Sequence, residues 1–266
     1  MSGGGKFLAI VTWLTPFAVA ATGARDWFPI TASEHGAGID SMLSYLLLAA
    51  AGLLFLGHFA LGYFLWRFGG APASIYTPAT AQQEKRWAIV PAVLMGLIAE
   101  GGVLVIGMPV WAKMNAPAPV DAVQVEVTAE QFAWNIHYPG QDGKMGRVKA
   151  SLLSLNNPIG IDKDDPAAKD DQILVGELHL PVNRPARIRL RSKDVLHSFL
   201  LPMQRVKQDV VPGMTIDLWF TPNKAGDFEI ACAELCGMGH YQMRGLLRVE
   251  SQEEFDKFLS ELPTVE

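Results

Sequence analysis

Residues 42–66, MLSYLLLAAAGLLFLGHFALGYFLW, run without a single formal charge. A second run, residues 88–111, AIVPAVLMGLIAEGGVLVIGMPVW, carries one charge, Glu100. Each exceeds the ~20 residues needed to cross a ~30 Å hydrocarbon layer. Trp66, Trp87 and Trp111 stand at their ends, where amphipathic indoles favour the interface. The pair predicts a transmembrane hairpin. The connecting stretch holds Arg67, Lys85 and Arg86 against one acid, Glu84, so the positive-inside rule places it in the cytoplasm and everything after Trp111 outside. A shorter apolar run, residues 7–22, lies behind Lys6; a signal peptide, a retained anchor and a short extra helix are all open readings of it.

Beyond residue 121 the pattern changes. Seven short alternating stretches read as strands: 122–129, 131–138, 173–180, 186–191, 215–220, 228–233 and 246–250. That density in one domain predicts a β-sandwich or small Greek-key barrel. The chain then divides into an N-terminal segment (1–41), a transmembrane helix (42–66), a cytoplasmic loop (67–87), a second transmembrane helix (88–111), a linker (112–120), an external β-domain (121–251) and a C-terminal helix and tail (252–266). The fold class is an α+β membrane protein, a helical hairpin followed by an external barrel or sandwich. Residues 156–172 hold Asp162, Asp164, Asp165, Asp170 and Asp171, and a loop of that length is expected to be functional or mobile. Residues 1–120 are nearly neutral and residues 121–266 carry the net negative charge. An acidic external domain disfavours nucleic acid and favours a cationic partner; on charge alone, ordinary solubility is the stronger reading.

The only two cysteines fall in CAELCGMGHYQM, residues 232–243. A disulfide there closes a loop too short to gain much from loop closure and leaves His240 and Met243 without a role. Zinc accepts thiolates and imidazoles but has no use for the thioether of Met243. Copper uses every soft donor in the stretch. Two thiolates can bridge two coppers, with His197 and His240 as terminal imidazoles, Met243 as one axial ligand and a loop carbonyl as the other. On ligand chemistry alone the three options stay open. His35, His58, His137 and His179 fall in no ligand cluster.

DVLHSFLLP (194–202), QDVVPGM (208–214) and CAELCGMGHYQM together resemble the binuclear copper domain of cytochrome c oxidase subunit II, in a bacterial branch. The resemblance extends from about residue 42, since that family also has a membrane hairpin before a cupredoxin-like barrel. It implies two copper ions held by His197, Cys232, Cys236, His240, Met243 and the main-chain oxygen of Glu234. It further implies that the Glu234 carboxylate reaches a magnesium or manganese ion shared with subunit I, and that Glu84 stands at the entrance of a proton channel. The expected partners are heme-bearing subunit I, subunit III, a soluble or membrane-bound c-type cytochrome, and lipid. The expected location is the bacterial plasma membrane, with the C-terminal domain on the periplasmic side. Relatives fed by mitochondrial-type cytochrome c commonly carry Q-W-x-W at electron entry. This chain reads Gln131-Phe132-Ala133-Trp134, so entry falls on Phe132 and Trp134 and the donor's identity stays open. No C-x-x-C-H occurs, so the chain binds no c-type heme of its own. A quinol oxidase subunit would lack the thiolates. A membrane-anchored cupredoxin carrier or copper assembly factor remains the alternative.

Overall fold

A computed structural model describes residues 3–23, 28–69 and 78–265. The chain separates into two compact units, one of residues 1–29 and 38–109, the other of residues 30–37 and 110–266.

The first unit is helical. Helices α1 (Gly3–Gly23), α2 (Glu34–Phe68) and α3 (Ala81–Met114) are each long and apolar enough to cross a membrane. Both hairpin helices overrun the apolar stretches expected from sequence. Helix α3 begins in the polar segment 81–87 because Thr80 and Gln83 form a reciprocal capping box, satisfying backbone donors that the first turn leaves free. Hydropathy marks the part of a helix suited to lipid; the cap marks where it starts. The expected 67–87 loop therefore contracts, and its middle, residues 70–77, lies outside the described residues, as do residues 24–27. Helix α1 packs on α2: the Trp13 indole donates to the Phe59 carbonyl at 3.1 Å and fills the space a side chain at Gly62 would need. Helix α3 contains two π-turns, Gly96–Glu100 and Val103–Gly107.

The second unit is a sandwich of two five-stranded sheets, in the orders β3-β2-β1-β5-β8 and β4-β10-β9-β6-β7. The strands are β1 (Val123–Glu130), β2 (Ala133–Tyr138), β3 (Gln172–Val175), β4 (Glu177–Pro181), β5 (Ala186–Ser192), β6 (His197–Leu201), β7 (Val206–Val210), β8 (Ile216–Phe220), β9 (Gly226–Cys232) and β10 (Arg244–Glu250). Period-two alternation explains the core. In β5, Ala186, Ile188 and Leu190 are fully buried, while Arg189 and Arg191 reach Glu126 on the other face. From the opposing sheet, Leu178, Leu180, Phe199, Leu201, Ile230 and Leu247 close the same core.

Three sequence expectations change. The stretch 173–180 is not one strand: it breaks at Gly176, whose φ of 80° suits glycine, and its halves join different sheets. Strands β6 and β7 add to the expected seven. Strand β6 lies in a sheet interior with His197, Ser198 and Phe199 all buried, so it shows no alternation to read. Finally, the acidic segment 156–172 is built into the domain. Ile159, Ile161 and Ala168 form a small core of their own. Asp171, fully buried, accepts from His137 Nε2 at 2.6 Å and from the Gly146 amide at 2.7 Å. Asp162 is paired with Arg147 and Lys149. Asp162 and Asp171 of this segment are thus engaged within the domain.

Residues 30–37, grouped by sequence with the N-terminal segment, fold into the external unit. Ala32 donates to Met203 and accepts from Asn223, the Ser33 hydroxyl donates to the Gln204 carbonyl at 2.6 Å, and Ala32 is a fully buried member of the β-core.

Candidate metal centre

Strands β6 and β9 are antiparallel neighbours, with Phe199 opposite Cys232. That register sets His197, the first residue of β6, beside the end of β9, where Cys232 leads into the loop 233–243. The Ala233 amide donates to the Ser198 carbonyl at 3.0 Å and fixes the loop's departure. The loop then folds tightly on itself through His240 N to Gly237 O and Met243 N to His240 O, both 3.1 Å. Gly237 has a φ of 138°, a conformation that side-chain-bearing residues rarely adopt.

This folding gathers the sequence-predicted donors. The two thiol sulfurs lie 3.9 Å apart. Cys232 Sγ is 3.9 Å from His197 Nδ1 and 3.2 Å from the Glu234 carbonyl oxygen. Cys236 Sγ is 3.5 Å from His240 Nδ1 and 3.8 Å from Met243 Sδ. Around each sulfur stand one imidazole nitrogen and one weak donor. Among the described residues, His197, Cys232 and Cys236 form the one His/Cys/Asp/Glu group placed to hold a metal. His197 is fully buried, and Cys236 and Met243 nearly so. Burial pushes the Cys236 thiol up to about 11, and the neighbouring Cys232 adds to the shift, so without a metal this thiol stays protonated near neutrality. A bound cation would displace the proton. The donor set suits copper: two soft sulfurs, two imidazoles, a thioether and a carbonyl, largely shielded from water.

Two residues that sequence reasoning passes over complete the surroundings. Asp194 Oδ1 lies 2.9 Å from His197 Nε2. An ionised carboxylate only accepts, so Nε2 carries the proton and Nδ1 presents its lone pair to the thiol. The other oxygen, Oδ2, accepts the Gln131 amide at 2.7 Å, and the Gln131 side chain donates to the Cys236 carbonyl at 2.5 Å. Burial alone would raise the Asp194 carboxyl, but hydrogen bonds from His197, Gln131 and Val195 hold it below the usual carboxylate range. The one sequence signal for Asp194 is an acid three residues before a candidate histidine ligand, which is too common to single out.

The aromatic residues separate. Phe132 is 36% exposed, and its ring lies where side chains at Gly237 and Gly239 would otherwise sit. Trp134 is fully buried, edge-on to His197 with ring centroids 6.2 Å apart. A docking protein can therefore touch Phe132 but not Trp134. Leu235, Met238 and Tyr241, on the same loop, are strongly exposed. The Glu234 carboxylate is half-exposed, 3.7 Å from Lys207 Nζ, which also pairs with Asp209 at 3.1 Å. Glu84 belongs to the helical unit, where it is exposed in the first turn of α3.

Residues 123–249 match the family model described as cytochrome c oxidase subunit II, periplasmic domain. An alternative cytochrome c oxidase subunit 2 of Bradyrhizobium diazoefficiens is 41% identical over 159 residues, covering 59% of this chain and 57% of that protein. The cytochrome c oxidase subunit 2 of Synechocystis is 28% identical over 258 residues, covering 87% of this chain and 74% of the relative. That of Cereibacter sphaeroides is 27% identical over 249 residues, covering 88% and 79%. The first of these matches spans little more than half of its relative. Residues 123–249, nearly all of the external β-domain, are thus similar to the periplasmic domain of cytochrome c oxidase subunit II.

Proposed function

We propose that the chain is the electron-entry subunit of a heme–copper terminal oxidase, holding a binuclear copper centre through His197, Cys232, Glu234 (carbonyl), Cys236, His240 and Met243. The observation that carries this reading is the pair of sulfurs 3.9 Å apart, each flanked by its own Nδ1 and its own weak donor. When bound, two coppers supply one-electron acceptance and release without proton chemistry.

The protein's own contribution is preorganisation. Strands β6 and β9 fix His197 and Cys232, and Asp194 holds the His197 ring in one tautomer and orientation. Gln131 ties the loop carbonyl of Cys236 to the turn that carries Phe132. The core beneath, including Trp134 and Phe199, keeps water out. Ligands held this firmly move little when charge arrives. Phe132 is the entry contact for a c-type cytochrome, soluble or membrane-bound, and Trp134 supports His197 from below. Electrons pass on to the hemes of subunit I, where oxygen is reduced and protons are pumped. The Glu234 carboxylate, half-exposed beside Lys207, would ligate a magnesium or manganese ion shared with that subunit, and Glu84 would begin a proton path at the cytoplasmic side. Subunit III completes the assembly, in a bacterial plasma membrane with the β-domain periplasmic.

Purified full-length chain in detergent, titrated with Cu(II), is expected to bind two coppers and turn purple with a mixed-valence spectrum. One copper per chain, or zinc bound in preference, would refute the binuclear assignment.

A further inference from the structure

Gln131, in the turn between β1 and β2, bonds to both halves of the donor set. One half is strand-borne, with His197 opening β6 and Cys232 closing β9. The other half, Cys236, His240 and Met243, is carried by the loop. The backbone amide of Gln131 donates to Asp194 Oδ2 at 2.7 Å, and Asp194 Oδ1 accepts from His197 Nε2 at 2.9 Å. The side-chain amide of Gln131 donates to the Cys236 carbonyl at 2.5 Å. A single residue thus reaches His197 through one carboxylate and Cys236 through its main chain. The two thiol sulfurs, 3.9 Å apart, stand one in each half.

This bridge is stiff at its base and fitted at its far end. Glu130, next in the turn, accepts from Asn135 Nδ2 at 3.0 Å and pairs with Lys193, whose own amide donates to the Ala129 carbonyl at 2.9 Å. On the loop, a side chain at Gly237 would meet Gln131 Nε2 at 2.7 Å and the Phe132 ring at 3.2 Å, so glycine there makes room for both. Strands β9 and β10 fix where the loop leaves and returns, with Ala231 opposite Arg244. The bonds from His240 to Gly237 and from Met243 to His240 lie within the loop and set its shape. Among the described residues, Gln131 provides the hydrogen bond that joins the backbone of residues 235–239 to a different part of the chain.

We propose that Gln131 is a positioning residue that sets the spacing between the two halves, and with it the separation of the two thiolates. The inference rests on the binuclear copper reading and adds to it a residue outside the ligand set. The bond to Asp194 comes from the backbone and persists whatever the side chain. Loss of the side-chain amide frees the loop half alone, so Cys236 shifts relative to Cys232 while every ligand is retained.

The test compares full-length wild type, Gln131→Ala and Gln131→Glu in detergent. Glutamate keeps the shape but turns an oxygen toward the Cys236 carbonyl, so it should be the more disruptive change. In the metal-free chain, hydrogen exchange over residues 233–243, followed by mass spectrometry, should quicken about twofold to tenfold, the range for one hydrogen bond. Both variants should still bind two coppers. Their visible spectrum and copper hyperfine pattern should then show the mixed-valence electron shared unequally between the metals. Gln242→Ala, on the same loop, removes a side chain that donates to Tyr241 and should match wild type in both measurements. Wild-type exchange and spectra in Gln131→Glu would overturn the inference and leave the copper reading intact, and so would equal effects from Gln242→Ala. Faster exchange with unchanged spectra would reduce Gln131 to a structural bond and overturn the positioning role. A wild-type chain that binds one copper would overturn the binuclear reading and the spacing role together.

Discussion

Replacing Asp194 tests how far the ligand set is held by its surroundings. Its carboxylate accepts from His197 Nε2 at 2.9 Å and from the Gln131 amide at 2.7 Å. The His197 side chain is fully buried, and that of Asp194 is 29% exposed. Asp194→Ala leaves both donors without their acceptor. Solvent can reach the Gln131 amide, but not His197. A hydrogen bond to a charged group contributes about 1.5–3 kcal/mol, and a buried donor left unpaired costs a similar amount. With one bond lost in the interior and one partly replaced by water, the metal-free chain should lose about 3 kcal/mol. Asp194→Asn keeps one acceptor oxygen and turns an amide N–H₂ toward the second donor, so about 2 kcal/mol is expected. Once His197 is free to change tautomer, copper affinity should fall about 10- to 100-fold in both variants. Urea unfolding of the metal-free full chain in detergent, followed by near-ultraviolet circular dichroism, gives the first quantity. Competition against a chelator of known affinity gives the second. An Asp194→Ala chain within about 0.5 kcal/mol of wild type, the range of an ordinary surface substitution, with unchanged copper affinity would refute the argument that this carboxylate positions the ligand.

Three further outcomes follow from the geometry. Ala32 is fully buried in the β-core, so Ala32→Asp should destabilise the external domain by at least ~3 kcal/mol; an unchanged thermal transition would show that residues 30–37 do not belong to it. Asp209 is held below the usual carboxylate range, first by the Ser198 hydroxyl and then by Lys207. Its folded value lies below its unfolded one, so the contribution is present above about pH 4 and is lost as pH falls through the folded value; Asp209→Asn should flatten that part of the stability profile, and an identical acid limb in both proteins would contradict the pairing. With the Cys236 thiol pushed up to about 11 by burial, iodoacetamide should modify it slowly at pH 8 in the metal-free chain and faster toward pH 11; rapid modification at pH 8, located by mass spectrometry, would show the loop to be open.

Much was legible in the sequence because the signals were local. A charge-free run longer than the hydrocarbon is thick demands a spanning helix whatever surrounds it, so the hairpin could be read directly. The donors Cys232, Cys236, His240 and Met243 lie within one short loop, and counting soft ligands there needs no fold. The alternation that marks 186–191 as a strand is the same one that buries Ala186, Ile188 and Leu190. The misses were set by neighbours. Strand β6 is buried on both faces and therefore shows no period. The stretch 173–180 reads as one strand until Gly176 turns it from one sheet to the other. Residues 30–37 carry no mark of the domain they join, because their contacts, backbone and side-chain alike, are to segments far along the chain.

At the candidate metal centre the division is the same. The sequence by itself determined which atoms can bind a metal, since ligand chemistry belongs to residue type. Only the tertiary structure decided that His197 meets Cys232 while His240 meets Cys236, that Asp194 selects the tautomer, and that Phe132 is exposed while Trp134 is buried. Those outcomes depend on the β6–β9 register and on which residues the two sheets enclose, and no run of neighbouring residues encodes either one alone.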